Sequence, residues 1–295
     1  MRITKYLRVL DNRNEIFYEK VTEASDQHVR SKFSIRVVFS GHETYVLGNR
    51  QINLYPGSFL VINEDTTYTR IIHSEVPVTS FSITYDPEFL DKFSKSLKSR
   101  RSGDVFLPYR TSESEDLILI DSMYTLTGDM EYNIMHLKNH ADKGLTDQFM
   151  ISQYLHHLLL NYCNIYNDQL YSKTSRLHEN AKNGVRMDII KRIAMAKDFI
   201  ISNHEKNIKL EDISSVACLS VSHLIRIFRL IYNKSPYQYL IQVRLERAKY
   251  YLRNSGSSIQ EIVNLVGFEN PSSFIRSFRT TYSITPGAFR HASLN

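Results

Sequence analysis

The sequence is poor in cysteine and has no long hydrophobic run. Its two cysteines, Cys163 and Cys218, are too few for a disulfide framework, so we expect two reduced, buried thiols. No stretch approaches the roughly 18 consecutive apolar residues of a membrane helix, and the first residues lack the apolar segment of a secretory signal. Hydrophobic residues make up 42% of the 295 residues and charged residues 23%. This composition is typical of a soluble globular protein, and the length predicts two domains.

The sequence also lacks the histidine pairs that bind metals, because no His-x-His occurs. His42 and Glu43 are adjacent in a predicted strand and therefore lie on opposite faces. His156 and His157 are adjacent in a predicted helix and point about 100° apart. His73 is solitary. The sequence therefore predicts no metal, no cofactor and no catalytic site.

The excess of positive charge lies entirely in the last third of the chain. Residues 1–186 contain 22 Lys and Arg against 23 Asp and Glu, a net charge of −1. Residues 187–295 contain 15 against 8, a net charge of +7. This asymmetry indicates a polyanionic partner for the C-terminal part.

The first 95 residues favour strands. Segments such as "FSIRVVFSG", "TYTRIIHSE" and "VTSFSITYD" are rich in Val, Ile, Tyr, Phe and Thr, and turns such as Pro56-Gly57 separate them. Several short strands at this spacing indicate a sandwich or barrel.

Helical patterns follow from about residue 86. "DPEFLDKFSKSLKSRRSGD" predicts a short helix with a basic loop, and "SESEDLILIDSMYTLTGDM" predicts another helix. A longer helix starts near Thr146, a candidate N-cap, and either packs on its own domain or forms a dimer surface. The polar segment 172–186 is a candidate linker between domains at 1–171 and 187–295. The apolar stripe of the longer helix comprises Phe149, Ile151, Leu155, Leu158, Leu159, Tyr162 and Ile165.

One motif occurs twice in the C-terminal part. Residues 223–236 read "HLIRIFRLIYNKSP" and residues 273–286 read "SFIRSFRTTYSITP". In each copy the apolar side chains form one stripe and the arginines lie opposite it. A short amphipathic helix precedes each copy, and a capping residue, Ser220 or Asn270, begins the second helix. Each copy therefore predicts a helix-turn-helix unit.

The outward arginines indicate double-stranded DNA as the partner. Arg226 or Arg276, near the start of a second helix, can hold guanine O6 and N7 in a major groove. One turn later, Arg229 and Arg279 are predicted to contact phosphates. The predicted base-reading residues are Ser222, His223, Ile225 and Arg226 in the first copy, and Ser272, Ser273, Ile275 and Arg276 in the second.

A basic helix is predicted between the two copies, in "SPYQYLIQVRLERAKYYLRNSG". About 19 residues give a rod of roughly 28 Å, close to the separation of about 34 Å between successive major grooves. The rod predicts that both units bind neighbouring grooves of one duplex. Four residues keep this helix basic: Arg244, Arg247, Lys249 and Arg253.

Residues 190–292 resemble the AraC/XylS family of bacterial transcription regulators. The resemblance rests on "LSVSHLIRIFR", "RLERAKYYL", "IQEIVNLVGF" and "SFIRSFRTTYSITPGAFR". It implies two helix-turn-helix units on a connecting helix, and RNA polymerase as a further partner. The chain departs from the family pattern at Cys218 and Ser283, where glycine is common, and at Ser273, where an aromatic residue is common. The family's base-reading positions correspond to Ser222, Ile225, Arg226, Ser272 and Arg276.

The N-terminal half is similar, more loosely, to the cupin-like sensor barrels of that family, through "GHETYVLGNRQINLYPGSFLVINEDTTYTRII". The expected fold is therefore a two-domain α+β protein, in which a cupin-like β-barrel with appended helices precedes an all-α domain. The resemblance implies a small-molecule effector. Strand position gives four candidate contacts, although for each of them the residue pattern favours ordinary sheet packing over a ligand role: Arg36, Tyr45, Tyr68 and Arg70.

The sequence as a whole predicts a cytoplasmic regulator of transcription, an activator, that binds promoter DNA and responds to an effector. One alternative is a regulator without a ligand, whose barrel serves only for homodimerisation. A second alternative is a cupin enzyme with an accessory DNA-binding module, against which the missing metal ligands argue.

Overall fold

The computed structural model describes residues 4–99, 120–144, 147–166 and 183–294. The chain divides into two compact units, Met1–Ala194 and Met195–Asn295. The described strands all lie in the first unit, and the second is helical. The predicted two-domain α+β class is thereby confirmed. The predicted linker lies outside the described residues as far as residue 182, and its last four residues belong to a helix.

The first unit is built on an antiparallel sheet. Its strands pair in the order β1-β2-β7-β3-β6-β8, and β4 pairs with both β5 and β7. One face carries Val37, Phe59 and Phe81, which are buried and occupy paired positions on three strands. The strands are β1 (Thr4–Val9), β2 (Glu15–Arg30), β3 (Ser34–Ser40), β4 (Glu43–Leu47), β5 (Arg50–Leu54), β6 (Ser58–Ile62), β7 (Thr67–Thr84) and β8 (Ser122–Thr125).

Strand β7 is continuous where the sequence predicts two strands. Its first half pairs with β4, its second half pairs with β3, and β2 runs beside both halves. The register shifts between Val21 and Glu23 of β2, since the single residue Thr22 lies opposite residues 74–77 of β7. Such a bulge bends the strand at the point where its partner changes. The prediction of two separate strands is therefore wrong.

The helix predicted in "SESEDLILIDSMYTLTGDM" is also wrong where it can be examined. Residues 122–125 form strand β8, which pairs with β6. Tyr124 stacks on Phe59 with ring centres 5.4 Å apart, and this tertiary contact outweighs the local helical pattern. The next helix begins only after Thr127, whose side chain accepts a hydrogen bond from the Met130 backbone N–H. Residues 112–119 lie outside the described part.

Among the described residues of the first unit, three helices accompany the sheet: α1 (Pro87–Ser99), α2 (Gly128–Asp142) and α3 (Gln148–Tyr166). The apolar stripe of α3 packs on its own domain, since Tyr162 contacts the rings of Phe59 and Tyr124. Phe149 was predicted to share this stripe but is 71% exposed, because it lies on the first turn, away from the buried side. The predicted cap, Thr146, is outside the described residues, and Asp147 accepts from the Met150 backbone N–H at 3.0 Å. The buried residues of the stripe are Ile151, Leu155, Leu158, Leu159, Tyr162 and Ile165.

Helix α4 (Asn183–Ser202) includes the division between the two units after Ala194, and six further helices follow it. The axes of the first two of these, Leu210–Val216 and Val221–Tyr232, differ in direction by 83°. This angle is close to the roughly 90–120° of a helix-turn-helix. The predicted caps are present: Ser220 accepts from the His223 backbone N–H, and Asn270 from the Ser273 backbone N–H at 2.9 Å. The six helices are α5 (Leu210–Val216), α6 (Val221–Tyr232), α7 (Pro236–Asn254), α8 (Ile259–Leu265), α9 (Pro271–Tyr282) and α10 (Pro286–Leu294).

The duplication extends to the helix that follows each unit. In the first copy, the ring of Phe228 lies 5.4 Å from that of Tyr239 on α7. In the second, Phe278 lies 5.6 Å from Phe289 on α10, at the equivalent position. Each helix-turn-helix is therefore closed by a third helix, and the same aromatic packing is built twice.

Two of the four basic residues singled out in α7 are buried. Arg244 and Arg247 are each 7% exposed. The Arg244 side chain donates from Nε to the His204 carbonyl at 2.7 Å and from Nη2 to the Lys206 carbonyl at 2.9 Å. These bonds satisfy carbonyls just beyond the end of α4, while burial lowers the pKa of Arg244. These two basic residues therefore contribute little exposed charge, because α7 packs against neighbouring segments on this side.

Two pairs of equivalent residues in the two copies have a left-handed backbone. In the turns these are Cys218 (φ 51°) and Gly267 (φ 81°), and at the helix ends they are Asn233 (φ 54°) and Ser283 (φ 59°). A Cβ at Gly267 would lie 2.6 Å from the Glu205 carbonyl oxygen, so the second turn also needs glycine for space. Asparagine adopts this conformation more readily than serine.

We predict that Ser283→Gly raises the free energy of unfolding by about 0.5–1 kcal/mol, because glycine has no Cβ to strain at positive φ. Asn233→Gly is the matched control at the equivalent helix end and should change stability less. Urea unfolding of the full chain, followed by far-ultraviolet circular dichroism, measures both. Equal shifts in the two variants would contradict the expectation.

Candidate functional site

Helices α6 and α9 each have a buried face and an exposed polar face. Leu224 and Phe228 of α6, and Phe274 and Phe278 of α9, are fully buried. On the opposite face the structure exposes the predicted DNA-contacting arginines: Arg226, Arg229, Arg276 and Arg279. In the part of the chain that the structure describes, none of these four guanidinium groups takes part in an ion pair. Their charge is therefore available to a polyanion.

The exposed face of α9 forms a surface depression of about 600 Å³. Four of the residues that line it were singled out from the sequence: Ser272, Ile275, Arg276 and Arg279. Thr280 lines it too and was missed, although its position four residues after Arg276 could have indicated the shared face. The depression combines hydroxyl, aliphatic and guanidinium groups, which are the groups that contact base edges in a major groove.

Three of the predicted base-reading side chains are only partly exposed: His223, Ile225 and Ser273. His223 is half-buried, and its Nε2 atom is enclosed, with no hydrogen-bond partner among the residues described. Ser273 is also half-buried, and its hydroxyl donates to the Asn270 backbone carbonyl at 3.0 Å. These two residues occupy equivalent positions in α6 and α9.

In the first unit, the structure brings together the four candidate ligand contacts. Arg36 donates from Nη2 to the Tyr68 hydroxyl at 2.6 Å. Its guanidinium lies 4.7 Å from the centre of the Tyr68 ring and 5.5 Å from that of Tyr45. Tyr45 and Arg70 occupy paired positions on β4 and β7. The four side chains therefore share the face of the sheet opposite Phe59.

Arg70 lies among three carboxylates that sequence reasoning missed. It forms ion pairs with Glu43 at 3.0 Å, with Asp26 at 2.8 Å, and with Glu19. Burial by itself lowers the pKa of Arg70, but the carboxylates reverse the effect and raise it above the ordinary value. The partners come from β2 and β4, on either side of β7, so no local pattern could have indicated them. Arg36, by contrast, forms no ion pair with any described carboxylate.

The described residues contain no group of three or more His, Cys, Asp or Glu side chains that could hold a metal ion. Cys163 is buried, and burial raises the pKa of its thiol to about 12. Cys218 is exposed, so the prediction of two buried thiols is wrong for this residue, which lies in the tight turn before α6. Within the described ranges, no single helix is long and apolar enough to cross a membrane.

We predict that Arg70→Ala lowers the free energy of unfolding of the first unit by about 3–5 kcal/mol, because Glu43 would stay buried without a counter-ion and Glu19 would keep only Lys5, at 3.7 Å. Both carboxylates are 1% exposed. Arg30→Ala is the control, since its ion pair with Asp65 is open to solvent and such pairs contribute little. Thermal unfolding of the full chain measures the difference. Equal melting temperatures for the two variants would contradict a structural role of Arg70.

Comparison with known proteins assigns a domain family to each structural unit. The AraC-like ligand binding domain matches residues 16–159, and a helix-turn-helix domain matches residues 213–292. The Msm operon regulatory protein of Streptococcus mutans is 36% identical over 98 residues, which are 33% of this chain and 35% of that protein. The lactose operon transcription activator of Staphylococcus xylosus is 27% identical over 159 residues, 54% of this chain and 52% of that protein.

A solved structure of a transcriptional regulator of the AraC-type DNA-binding class from Chromobacterium violaceum is 26% identical, covers 35% of this chain and 91% of its own, and has a TM-score of 0.34. The chain spans about a third to a half of the length of the curated relatives named above. The two domain matches account for both structural units, and the chain belongs to the AraC family of transcriptional regulators.

Proposed function

We propose that this chain is a sequence-specific DNA-binding regulator of transcription whose first unit responds to a small molecule. The observation that supports it most is the duplicated exposed face of α6 and α9, with four guanidinium groups that have no ion-pair partner in the described structure. A duplex supplies both the phosphates and the guanine edges that arginine binds.

In this proposal Arg226 and Arg276 read guanine, and Ser222, Ile225, Ser272 and Ile275 contact the neighbouring base edges. Arg229 and Arg279, one helical turn later, bind phosphates. Helix α7 contains 19 residues, so its length of about 28 Å allows the two helix-turn-helix units to occupy neighbouring major grooves.

For the effector, we propose Arg36 with the rings of Tyr45 and Tyr68 as the contact group. A guanidinium beside two aromatic rings suits either an anionic group or the ring of a sugar, since both pack or hydrogen-bond against such surfaces. Arg70 is assigned a structural role instead, because its three carboxylate partners already use its donors. The alternative without a ligand would give Arg36 and the two tyrosines a packing role only.

We further propose that the protein acts in the cytoplasm as an activator, as a homodimer formed by its first unit, and in contact with RNA polymerase. The lactose operon relative carries the name of a transcription activator, which supports activation. Exposed apolar side chains on α2 and α3, such as Tyr132 and Phe149, support a contact between copies. A catalytic cupin has no supporting cluster among the described residues.

Arg276→Ala should weaken specific binding by about 1–3 kcal/mol and relax the preference at one base position, because a bidentate guanine contact is lost. Gel shifts measure the change, with a duplex that the native chain binds specifically as the operator and with single-base variants of that duplex. Arg8→Ala is the control, since it removes an exposed charge from the first unit. Unchanged affinity for the operator would contradict the assigned direction of α9.

Arg279→Ala should weaken binding to all sequences alike, because a phosphate contact carries no base information. The slope of log K against log salt concentration should fall by about one unit. Titration of fluorescent operator and non-operator duplexes at several salt concentrations measures both effects. A loss confined to the operator would assign Arg279 to base reading instead.

A bound effector should raise the melting temperature of the first unit by mass action. Thermal-shift assays with lactose, raffinose, sugar phosphates and small carboxylates provide the measurement. Any shift found with the native chain should disappear in Arg36→Met, which keeps the length of the side chain but removes its charge. If no compound shifts the native chain, the alternative without a ligand is favoured.

A further inference from the structure

We infer that the two helix-turn-helix units read the same short base sequence, so that the operator contains one subsite twice. This inference rests on the proposed function, because it concerns the DNA that α6 and α9 would bind. It goes further by stating the class of operator: two near-identical subsites in one duplex, bound by one chain.

The first argument is the identity of the exposed faces. Along α6 and α9 the outward positions carry the same residue type at four equivalent places, 50 residues apart: Ser222 and Ser272, Ile225 and Ile275, Arg226 and Arg276, and Arg229 and Arg279. A helix that presents the same groups at the same spacing offers the same hydrogen-bond and apolar contacts to base edges.

The second argument comes from a position at which the copies differ. His223 in α6 corresponds to Ser273 in α9, and both side chains are half-buried, as is Ile225. The Nε2 atom of His223 is enclosed, and the Ser273 hydroxyl is bonded to the Asn270 carbonyl. The polar atoms of both side chains are therefore enclosed or already bonded, which reduces the effect of this difference on base contacts. Among the other differences, Leu230 against Thr280 lies beyond the phosphate-binding arginine, although Thr280 lines the depression on α9.

The third argument is that the two helices are held in the same way. Phe228 and Tyr232 have ring centres 4.6 Å apart, and their counterparts Phe278 and Tyr282 are 4.7 Å apart. Both helices begin at a side-chain cap and end at a residue in the left-handed conformation. The turn between α8 and α9 is one residue longer than the turn between α5 and α6, and this difference leaves the helix itself unchanged. Identical side chains are thus presented from matching supports.

The chemistry of the shared face indicates which bases the subsite contains. Arginine prefers guanine, through O6 and N7, and an aliphatic side chain packs on the methyl group of thymine. We therefore expect each subsite to contain a guanine and a thymine. The two copies should be about one helical turn apart, roughly 10–11 base pairs from centre to centre.

Selection of the full chain on a randomised duplex library, with sequencing of the bound fraction, tests this directly. The expected result is one motif in which the same short word occurs twice, in either orientation, at the spacing of one helical turn. A motif with two unrelated words would overturn the inference but leave the proposed function intact. No enrichment of any sequence would overturn the proposed function as well, so the two failures are distinguishable.

Two variants sharpen the test in the same selection. Arg226→Ala should reduce the preference for guanine about tenfold in one copy of the word, and Arg276→Ala should do the same in the other copy. The double variant His223→Ser with Leu230→Thr, which makes α6 match α9 at two of the positions where they differ, should select an unchanged motif. Loss of guanine at the same copy in both single variants, or a new word selected by the double variant, would contradict the inference.

Discussion

The burial of one phenylalanine in each helix-turn-helix unit is the constraint on which the proposed activity depends. Phe228 and Phe278 are fully buried. Phe228 packs against the ring of Tyr239, and Phe278 packs against the ring of Phe289. Because the flanking arginines lie on the opposite side of the same helix, this packing determines the direction in which they point. A side chain that loosened the ring contacts would let the helix rotate and would misdirect the guanidinium groups.

The chain uses arginine in two opposite ways. Arg70 and Arg244 are buried and donate to carboxylates or carbonyls of distant segments, so that they connect parts of the fold. Arg226 and Arg276 are exposed and have no partner within the described structure, so that they remain available to a ligand. The difference is one of solvation, since a buried guanidinium must be paired, whereas an exposed one is hydrated until a phosphate or base replaces the water.

Helix α7 shows how one element serves both purposes. Its length sets the separation of the two helix-turn-helix units. Its first turns close the first helix-turn-helix through Tyr239. Its middle carries Arg244 to the carbonyls beyond α4, and Lys249 lies over the ring of Tyr282 from α9. The rod is therefore held by contacts along its length, which is the rigidity that a spacer between two DNA-reading helices requires.

The sequence by itself determined the parts whose signals are local. Periodic apolar residues, caps such as Ser220 and Asn270, and the repeated motif are sufficient to predict the helices of the second unit, because helix contacts join residues three and four apart. Only the tertiary structure decided that β7 is one strand, that β8 replaces a predicted helix, and that Arg70 meets Glu19 and Glu43. Those outcomes depend on strand pairing between residues far apart in the chain, and a strand takes its partners from the sheet rather than from its neighbours in sequence.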